Sequence, residues 1–374
     1  MSYLILLPWL RIGGTYRLGE FELGTLQVEE PERFDIDPEL LRDALDPFRV
    51  NRELPIKKFT YVCKGDQLLN NYSEAELDKF SLFHEILVIS GLANRQFFNP
   101  FLYCNTDQFD YYIRNLNDED NFVTISGRRR DGNTQNFISD EALIVVRQPH
   151  IPSKPIPFQL NQNLIHSLIE ASQELRDRDW GKIYNSILSF NRSNTDNAKI
   201  SQVQEIILMR SAFEQLISDR NLTDDFETLL SGYVDLKSIG EYPDLFQRES
   251  DEEVEEESSI SSVWMDEFTR IRNIVAHGHD ISDRNFRWPL REHLLLGSFI
   301  YPVILKTKLR EHGICELTDY DMIYFRAFEE LCTKRHLIDY GDEIYEPGFR
   351  FPWNEIWGQY FFEYQWNRMV GNSD

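Results

Sequence analysis

Four prolines fall within nine residues, between Pro149 and Pro157, and divide the 374-residue chain into two parts. Because proline fixes φ and lacks a backbone N–H, this segment excludes both a continuous helix and a central strand. Short runs rich in β-branched and aromatic residues precede it, and apolar residues at helical spacing follow it. The sequence therefore predicts an α+β protein with a β-rich domain at 1–150, a proline-rich linker at 151–160, a helical bundle at 161–312 and an aromatic-rich helical extension at 313–374.

The first part is predicted to be mostly β-structure, because its apolar runs are short and end at turn residues. The pair Asp131-Gly132 is typical of a hairpin turn. Predicted strands cover residues 3–7, 20–28, 59–63, 85–89, 122–126 and 142–146, and predicted helices cover residues 37–44 and 73–83.

The second part is predicted to be a bundle of amphipathic helices, since its apolar residues recur every three or four positions. Seven of the nine residues at 249–257 are acidic, which predicts a solvated loop. The aromatic-rich helix predicted at 349–366 either docks on the bundle or a partner chain, or forms an aromatic ligand-binding box. The predicted bundle helices begin near residues 164, 180, 203, 264 and 290.

Composition excludes several classes of function. The formal net charge is −24, from 63 acidic and 39 basic residues, so broad coating of nucleic acid is excluded, although a small basic site is not. The four cysteines form no CxxC pair and have no histidine at zinc-ligand spacing, which favours a reducing cytoplasm. No apolar run is long enough to span a membrane. We therefore expect no metal, no cofactor and no membrane partner.

One segment carries residues suited to chemistry, at the end of the helix predicted from residue 264. Arg272 and His277 have a spacing that recurs in the chain at about the chance level, so the spacing alone is uninformative. The helical context adds information, because Asn273 and His277 share one face and Gly278 is the usual residue for ending a helix. His277 is thus predicted in the last turn, where the helix dipole favours a protonated imidazole.

The residues Arg-Asn-Ile-Val-Ala-His-Gly at 272–278 resemble the Arg-polar-x-x-x-His motif of HEPN domains. Residues 183–192 and 203–217 are similar to the first two helices of the Apea-like HEPN family. The resemblance covers residues 160–312, under half of the chain. It implies a helical bundle, a homodimer formed through that bundle, and metal-independent cleavage of RNA in prokaryotic anti-phage or stress defence.

The reaction that the resemblance implies suits these residue types. RNA cleavage without a metal uses the 2′-hydroxyl as nucleophile, and it needs a proton acceptor, a proton donor and a cation on the phosphorane oxygens. His277 would transfer protons, Arg272 would hold the phosphate, and Asn273 would orient either group or donate to a non-bridging oxygen. One chain supplies one motif, so chemistry with two histidines requires a dimer and leaves 2′,3′-cyclic phosphate ends.

Arg210 and Glu214 are candidates for a supporting role. They lie four residues apart on the apolar stripe of their helix, where charged side chains need partners because their desolvation is costly. They either form an ion pair within their own helix or orient Arg272 or His277 as part of a second layer around the site.

The first domain carries a further candidate contact for RNA. Arg128, Arg129 and Arg130 are the densest basic cluster in the chain, and they form either a solvated hairpin tip or a contact with the RNA backbone. An unidentified ligand or protein is expected to act on this domain and to trigger the helical one.

Two functions stay open on the sequence alone. The first is the dimeric endoribonuclease described above. The second is a non-catalytic module of the HEPN type that dimerises or binds nucleotides or RNA. In that second case Arg272 and His277 cap helix carbonyls and pair with nearby carboxylates, and they carry out no reaction.

Overall fold

The computed structural model divides the chain into two compact units, Met1–Ile169 and Glu170–Asp374. The boundary between the units falls inside a helix, Gln162–Glu174, whereas the proline segment at 151–158 lies outside the described residues. The structure describes residues 2–27, 36–50, 54–64, 69–70, 74–99, 102–116, 125–128, 134–137, 146–149, 159–197, 199–217, 221–242, 257–278, 281, 286–334, 337 and 352–371.

The strands all lie in the first unit, and with the helices they make the chain a mixed α+β protein. Strands were expected in this part of the chain, and those predicted at 3–7, 20–28 and 59–63 are confirmed. The strands are β1 (Ser2–Leu7), β2 (Tyr16–Leu18), β3 (Phe21–Gln27), β4 (Phe48–Val50), β5 (Leu54–Pro55), β6 (Lys58–Lys64), β7 (Leu69–Asn70), β8 (Tyr112–Asn115), β9 (Ile125–Arg128), β10 (Thr134–Phe137) and β11 (Val146–Arg147).

An antiparallel sheet in the order β2-β3-β6-β1-β7 is the framework of this unit, and β8 also pairs with β1. The strand β3 pairs with β6 over its full length, from Phe21 opposite Lys64 to Gln27 opposite Lys58. Two smaller sheets accompany it. In one, β4 pairs with β5 antiparallel and with β11 parallel. In the other, β9 and β10 form a hairpin around the predicted Asp131-Gly132 turn, and the turn itself lies outside the described residues.

The central sheet is covered on both faces, which explains the unbroken apolar run in β1. Residues Leu4 to Leu7 are all fully buried. Leu4 and Leu6 belong to a core that includes residues of α1 (Pro38–Leu45), a helix capped by the Asp37 carboxylate, which accepts from Glu39 N at 2.8 Å. On the opposite face, Phe21 packs edge-to-face against two phenylalanines of a second helix.

That second helix, α2 (Glu74–Leu92), corrects one prediction. Residues 85–89 were expected to form a strand, but they lie inside the helix. Ile86, Leu87, Val88 and Ile89 are almost completely buried, so this part of the helix is apolar on every side. A short apolar run in a helix that is buried all round has no helical periodicity, and therefore looks the same as a buried strand.

The second unit is built from helices joined by short turns and loops in its described residues. The helices predicted from the apolar stripes are confirmed, and no helix in the described part of the chain is long and apolar enough to cross a lipid bilayer. The remaining helices of the chain are α3 (Gln162–Glu174), α4 (Asp177–Ser193), α5 (Gln202–Ile217), α6 (Leu222–Ser231), α7 (Ile260–Ala276), α8 (Leu290–Glu311), α9 (Asp319–Cys332) and α10 (Pro352–Gly371).

Aromatic side chains form the core between these helices. Helix α5 packs against α4, α7 and α8, and α7 also packs against α6 and α9. At the centre, Phe213 of α5 contacts the rings of Trp264, Phe268 and Tyr301, with centroids 5.5–6.4 Å apart. The buried Ser186 hydroxyl donates to the Ala212 carbonyl at 2.7 Å and lies 2.6 Å from the Tyr301 hydroxyl, which joins α4, α5 and α8.

The C-terminal helix α10 docks on the bundle through its first half, as one of the two predictions for it stated. Trp353 is buried against Phe299 of α8, with ring centroids 5.0 Å apart. The second half leaves an apolar stripe in solvent, because Phe362, Trp366 and Met369 are 66%, 54% and 61% exposed.

Two glycines within helices, Gly91 and Gly181, differ in the packing around them. A Cβ added to the buried Gly91 of α2 would come within 2.9 Å of Phe109 Cε1, whereas a Cβ on Gly181 of α4 would meet nothing within 4 Å. We expect Gly91→Ala to lower the free energy of unfolding by about 1–3 kcal/mol, because the Phe109 ring must move. Gly181→Ala should raise it by up to about 1 kcal/mol, because alanine is the better helix former. Urea unfolding of both variants measures the difference, and a stabilised Gly91→Ala would contradict this packing.

Candidate active site

Helix α7 carries the residues of the candidate site, and its sequence fixes which face they occupy. Ser259 caps the helix by accepting from Ser262 N at 3.1 Å. Trp264, Phe268 and Ile271 are completely buried, and they hold one side of the helix in the core. The opposite side is therefore directed to solvent at the C-terminal end of the helix.

The end of α7 has the geometry that the sequence predicted. His277 is the C-terminal capping residue, and its backbone N–H donates to Asn273 O at 3.1 Å. Gly278 follows with φ of +74°, a left-handed conformation that glycine adopts without steric cost, and its N–H donates to Val275 O at 2.9 Å. The imidazole is thus attached to a fixed backbone position at the helix terminus.

Arg272, Asn273 and His277 are brought together on this exposed end. All three residues are exposed, as are Ala276 and Gly278 beside them. Arg272 Nη1 donates to Asn273 Oδ1 at 3.1 Å, so the amide holds the guanidinium on the shared surface. Within the described residues, no side chain forms a hydrogen bond or an ion pair with the His277 imidazole.

Arg210 and Glu214 form the intrahelical ion pair that was one of their two predicted roles. They pair within α5, and the arginine side chain is 11% exposed while the glutamate side chain is 49% exposed. Neither one bonds to Arg272 or His277 among the described residues. An orienting role for this pair remains a prediction.

Two other predicted features, the basic cluster 128–130 and the acidic segment 249–257, lie mostly outside the described residues. Arg128 ends strand β9, but its side chain lies outside the described residues, as do Arg129 and Arg130 entirely. Of the acidic segment 249–257, only Glu257 is described, and it is exposed.

A buried polar cluster beneath the candidate site was not predicted from the sequence. Glu267 of α7 is 2% exposed, and its carboxylate accepts hydrogen bonds from two backbone N–H groups of the segment that leads into α8. The donors are Arg287 N at 3.0 Å and Trp288 N at 3.1 Å. The cluster therefore joins α7 to the chain that follows the exposed site.

His293 completes this cluster from the first turn of α8. Its Nε2–H donates to Glu267 Oε1 at 3.1 Å, and its fully buried ring packs among Trp264, Phe268 and Trp288. Burial alone raises the pKa of Glu267, but the hydrogen bonds from His293 and the two backbone donors outweigh it and lower the pKa below its ordinary value of 4.5.

The sequence contained one signal for the cluster. Glu267 follows Trp264 by three residues and precedes Ile271 by four, so a carboxylate occupies the apolar face of an amphipathic helix. A charge at such a position requires partners, because an unpaired buried ion is costly. The identity of those partners was not readable, since Arg287 and His293 are 20 and 26 residues away.

Two further findings bear on the site. Among the described residues there is no group of three or more His, Cys, Asp or Glu side chains placed to hold a metal ion. Compared with known proteins, the chain matches no family model, no curated protein and no solved structure. The functional conclusion therefore rests on the residues and geometry described above.

The Glu267 cluster should determine how the protein responds to acid. Because the folded-state pKa of Glu267 lies below 4.5, its charge stabilises the fold above about pH 4.5, and this contribution is lost as the pH falls through the folded-state value. We expect Glu267→Gln to lower the free energy of unfolding at pH 7 by about 1–3 kcal/mol and to flatten its dependence on pH below 5. Urea unfolding between pH 3 and pH 7 measures both effects. Glu311→Gln on the surface of α8 is the control, and equal behaviour of the two variants would refute the role of the cluster.

Proposed function

We propose that the chain is a metal-independent endoribonuclease of the HEPN type that acts as a homodimer through its helical unit. The observation that carries the proposal is the joint exposure of Arg272, Asn273 and His277 on the last turn of α7. A cation that stays charged, an amide and an imidazole stand on one accessible surface, which is the set of groups that this reaction requires. Their exposure also leaves room for an RNA strand and for a second copy of the site.

The proposed reaction forms one bond and breaks one bond at phosphorus. The 2′-oxygen of a ribose attacks the adjacent phosphorus, and its proton passes to a neutral imidazole. The bond from phosphorus to the 5′-oxygen then breaks, and that oxygen takes a proton from an imidazolium. The products are a 2′,3′-cyclic phosphate and a 5′-hydroxyl. Arg272 neutralises the charge on the non-bridging oxygens as the phosphorane forms, and Asn273 holds its guanidinium in place.

The proposed reaction calls for a dimer. His277 has no described side chain to orient it, and one imidazole cannot be the proton acceptor and the proton donor in the same step. A second copy placed about a two-fold axis would bring another Arg272 and His277 to the same phosphate. The exposed Ala276 between Asn273 and His277 is small, so it permits a close approach of the two helices.

The first unit has a regulatory role in this proposal. An unidentified ligand or protein acts on it, and RNA is cleaved in the course of anti-phage or stress defence. The net charge of −24 makes nonspecific RNA binding weak. The affinity for RNA must therefore come from a few local cationic side chains. Arg128, Arg129 and Arg130 are proposed as such a local contact.

A non-catalytic module is the second candidate, and one observation favours it. No side chain in the described part of the chain bonds to the His277 imidazole, whereas a general base is normally oriented by a neighbouring group. A bundle that only dimerises or binds nucleotides or RNA needs no such support. The nuclease cleaves RNA when His277 is present, whereas the binding module does not cleave RNA at all.

Substitution of the site residues should abolish RNA cleavage and leave the fold intact. We expect His277→Ala to reduce the rate of cleavage of bulk tRNA in EDTA by about 10²–10⁴-fold, because proton transfer is lost. Arg272→Ala should reduce it by about 10²–10³-fold, because a charge on the phosphorane is no longer neutralised. Gel analysis of the products, with chemical identification of 2′,3′-cyclic phosphate ends, measures both effects.

The matched controls are His166→Ala on α3 and Arg291→Ala on α8, which remove an exposed residue of the same type elsewhere. They should cleave RNA at the wild-type rate. If the wild-type protein cleaves no RNA under any condition tested, or if His277→Ala cleaves it equally well, the nuclease is excluded and the binding module is favoured.

A composite site makes activity depend on association of two chains. We expect the specific activity to fall when the protein is diluted below its dimer dissociation constant, determined by analytical ultracentrifugation. Adding an excess of His277→Ala chains to the wild-type protein should lower its activity, because a mixed dimer keeps only one of the two imidazoles that the reaction requires. Full activity in monomers, or undiminished activity in mixtures shown to form heterodimers, would refute a shared site.

A further inference from the structure

A polar groove of about 500 Å³ runs along helix α4, on a surface that the sequence did not single out. We call it the α4 groove and define it by Arg178, Gly181, Lys182, Asn185, Arg192 and, from the neighbouring helix α5, Gln215. The α4 residues recur at helical spacing and therefore share one face. Between Arg178 and Arg192 this face is about 21 Å long, from a rise of about 1.5 Å per residue.

The groove is basic, although the chain as a whole is strongly acidic. Arg178, Lys182 and Arg192 line it, and Asp177 is the one carboxylate among its lining residues. Arg178 and Arg192 are exposed, and neither forms an ion pair within the described part of the chain. Within the described residues these two arginines are therefore available to an anionic ligand.

Gly181 leaves the floor of the groove open. It lies in the interior of α4, where glycine weakens a helix. No packing requires it, because an added Cβ would meet nothing within 4 Å. A glycine without a packing role at the bottom of a groove permits a ligand to approach the backbone closely.

We propose that the α4 groove binds the sugar–phosphate backbone of single-stranded RNA, with phosphates on Arg178 and Arg192. The proposal rests on the nuclease proposed above only for the choice of RNA as ligand. Separated cations beside an open stretch of helix match a ligand that carries anionic groups at regular intervals.

Binding should be measured by fluorescence anisotropy with a labelled single-stranded RNA of about 20 nucleotides, in a His277→Ala background so that the probe stays intact. We expect Arg178→Ala combined with Arg192→Ala to weaken binding by about 20-fold at about 0.1 M salt. The slope of log K against log salt should fall by about 1.4, because each phosphate contact on a single strand contributes about 0.7.

A steric variant tests the groove without changing any charge. Gly181→Leu fills the open floor and favours the helix, so it should weaken RNA binding while leaving thermal unfolding unchanged or shifted upward. Gly358→Leu on α10 is the matched control, since an added Cβ there also meets nothing within 4 Å, and it should bind RNA normally.

The possible outcomes separate this proposal from the proposed nuclease. If the wild-type protein cleaves RNA and the groove variants bind RNA normally, the RNA-binding role of the groove is refuted and the nuclease proposal stands. Binding of RNA that depends on the groove, without cleavage in the wild-type protein, supports the groove and overturns the nuclease. Absence of both RNA binding and cleavage overturns both. If a polyglutamate peptide displaces the RNA at the same concentration of negative charge, the groove binds acidic peptides instead of RNA.

Discussion

The junction between helices α7 and α8 depends on one buried carboxylate. Glu267 is removed from water, and an ion in that position is tolerated only when several donors compensate for its lost hydration. The compensation comes from the backbone N–H groups of Arg287 and Trp288 and from the imidazole of His293. Because two of these donors are main-chain groups, the requirement fixes the path of the chain between α7 and α8 as well as side-chain positions. In this way the buried cluster positions the exposed end of α7.

Helix α7 has a buried face and an exposed end, and their roles differ. Its buried face carries Trp264, Phe268 and the Glu267 carboxylate, which hold the helix against α5, α6 and α9. Its exposed end carries Arg272, Asn273 and His277, which contact nothing in the core. The first set determines where the second set lies, and the second set contributes little to holding the bundle together. A buried support with exposed functional groups at its end suits a proposed site that a second copy must complete.

The sequence predicted those elements whose residues interact with near neighbours along the chain. The amphipathic stripes of α4, α5, α7 and α8 and the glycine that ends α7 follow from local rules, and each was predicted correctly. The segment 85–89 was assigned wrongly, because a helix enclosed on all sides has no polar face to reveal its period. The Glu267 cluster and the α4 groove were missed for another reason. Their members come from separate helices and loops, and only the packed fold shows which residues meet.

The exposure of Arg272, Asn273 and His277 has a consequence for how such a protein evolves. Substitutions at exposed positions usually change stability by less than about 0.5 kcal/mol, so selection for a folded bundle places almost no restraint on these three residues. Selection for the bundle acts instead on Glu267, Trp264 and their buried partners. A lineage can therefore lose the motif by single substitutions while the fold persists, and the same scaffold is then free to be retained for binding alone.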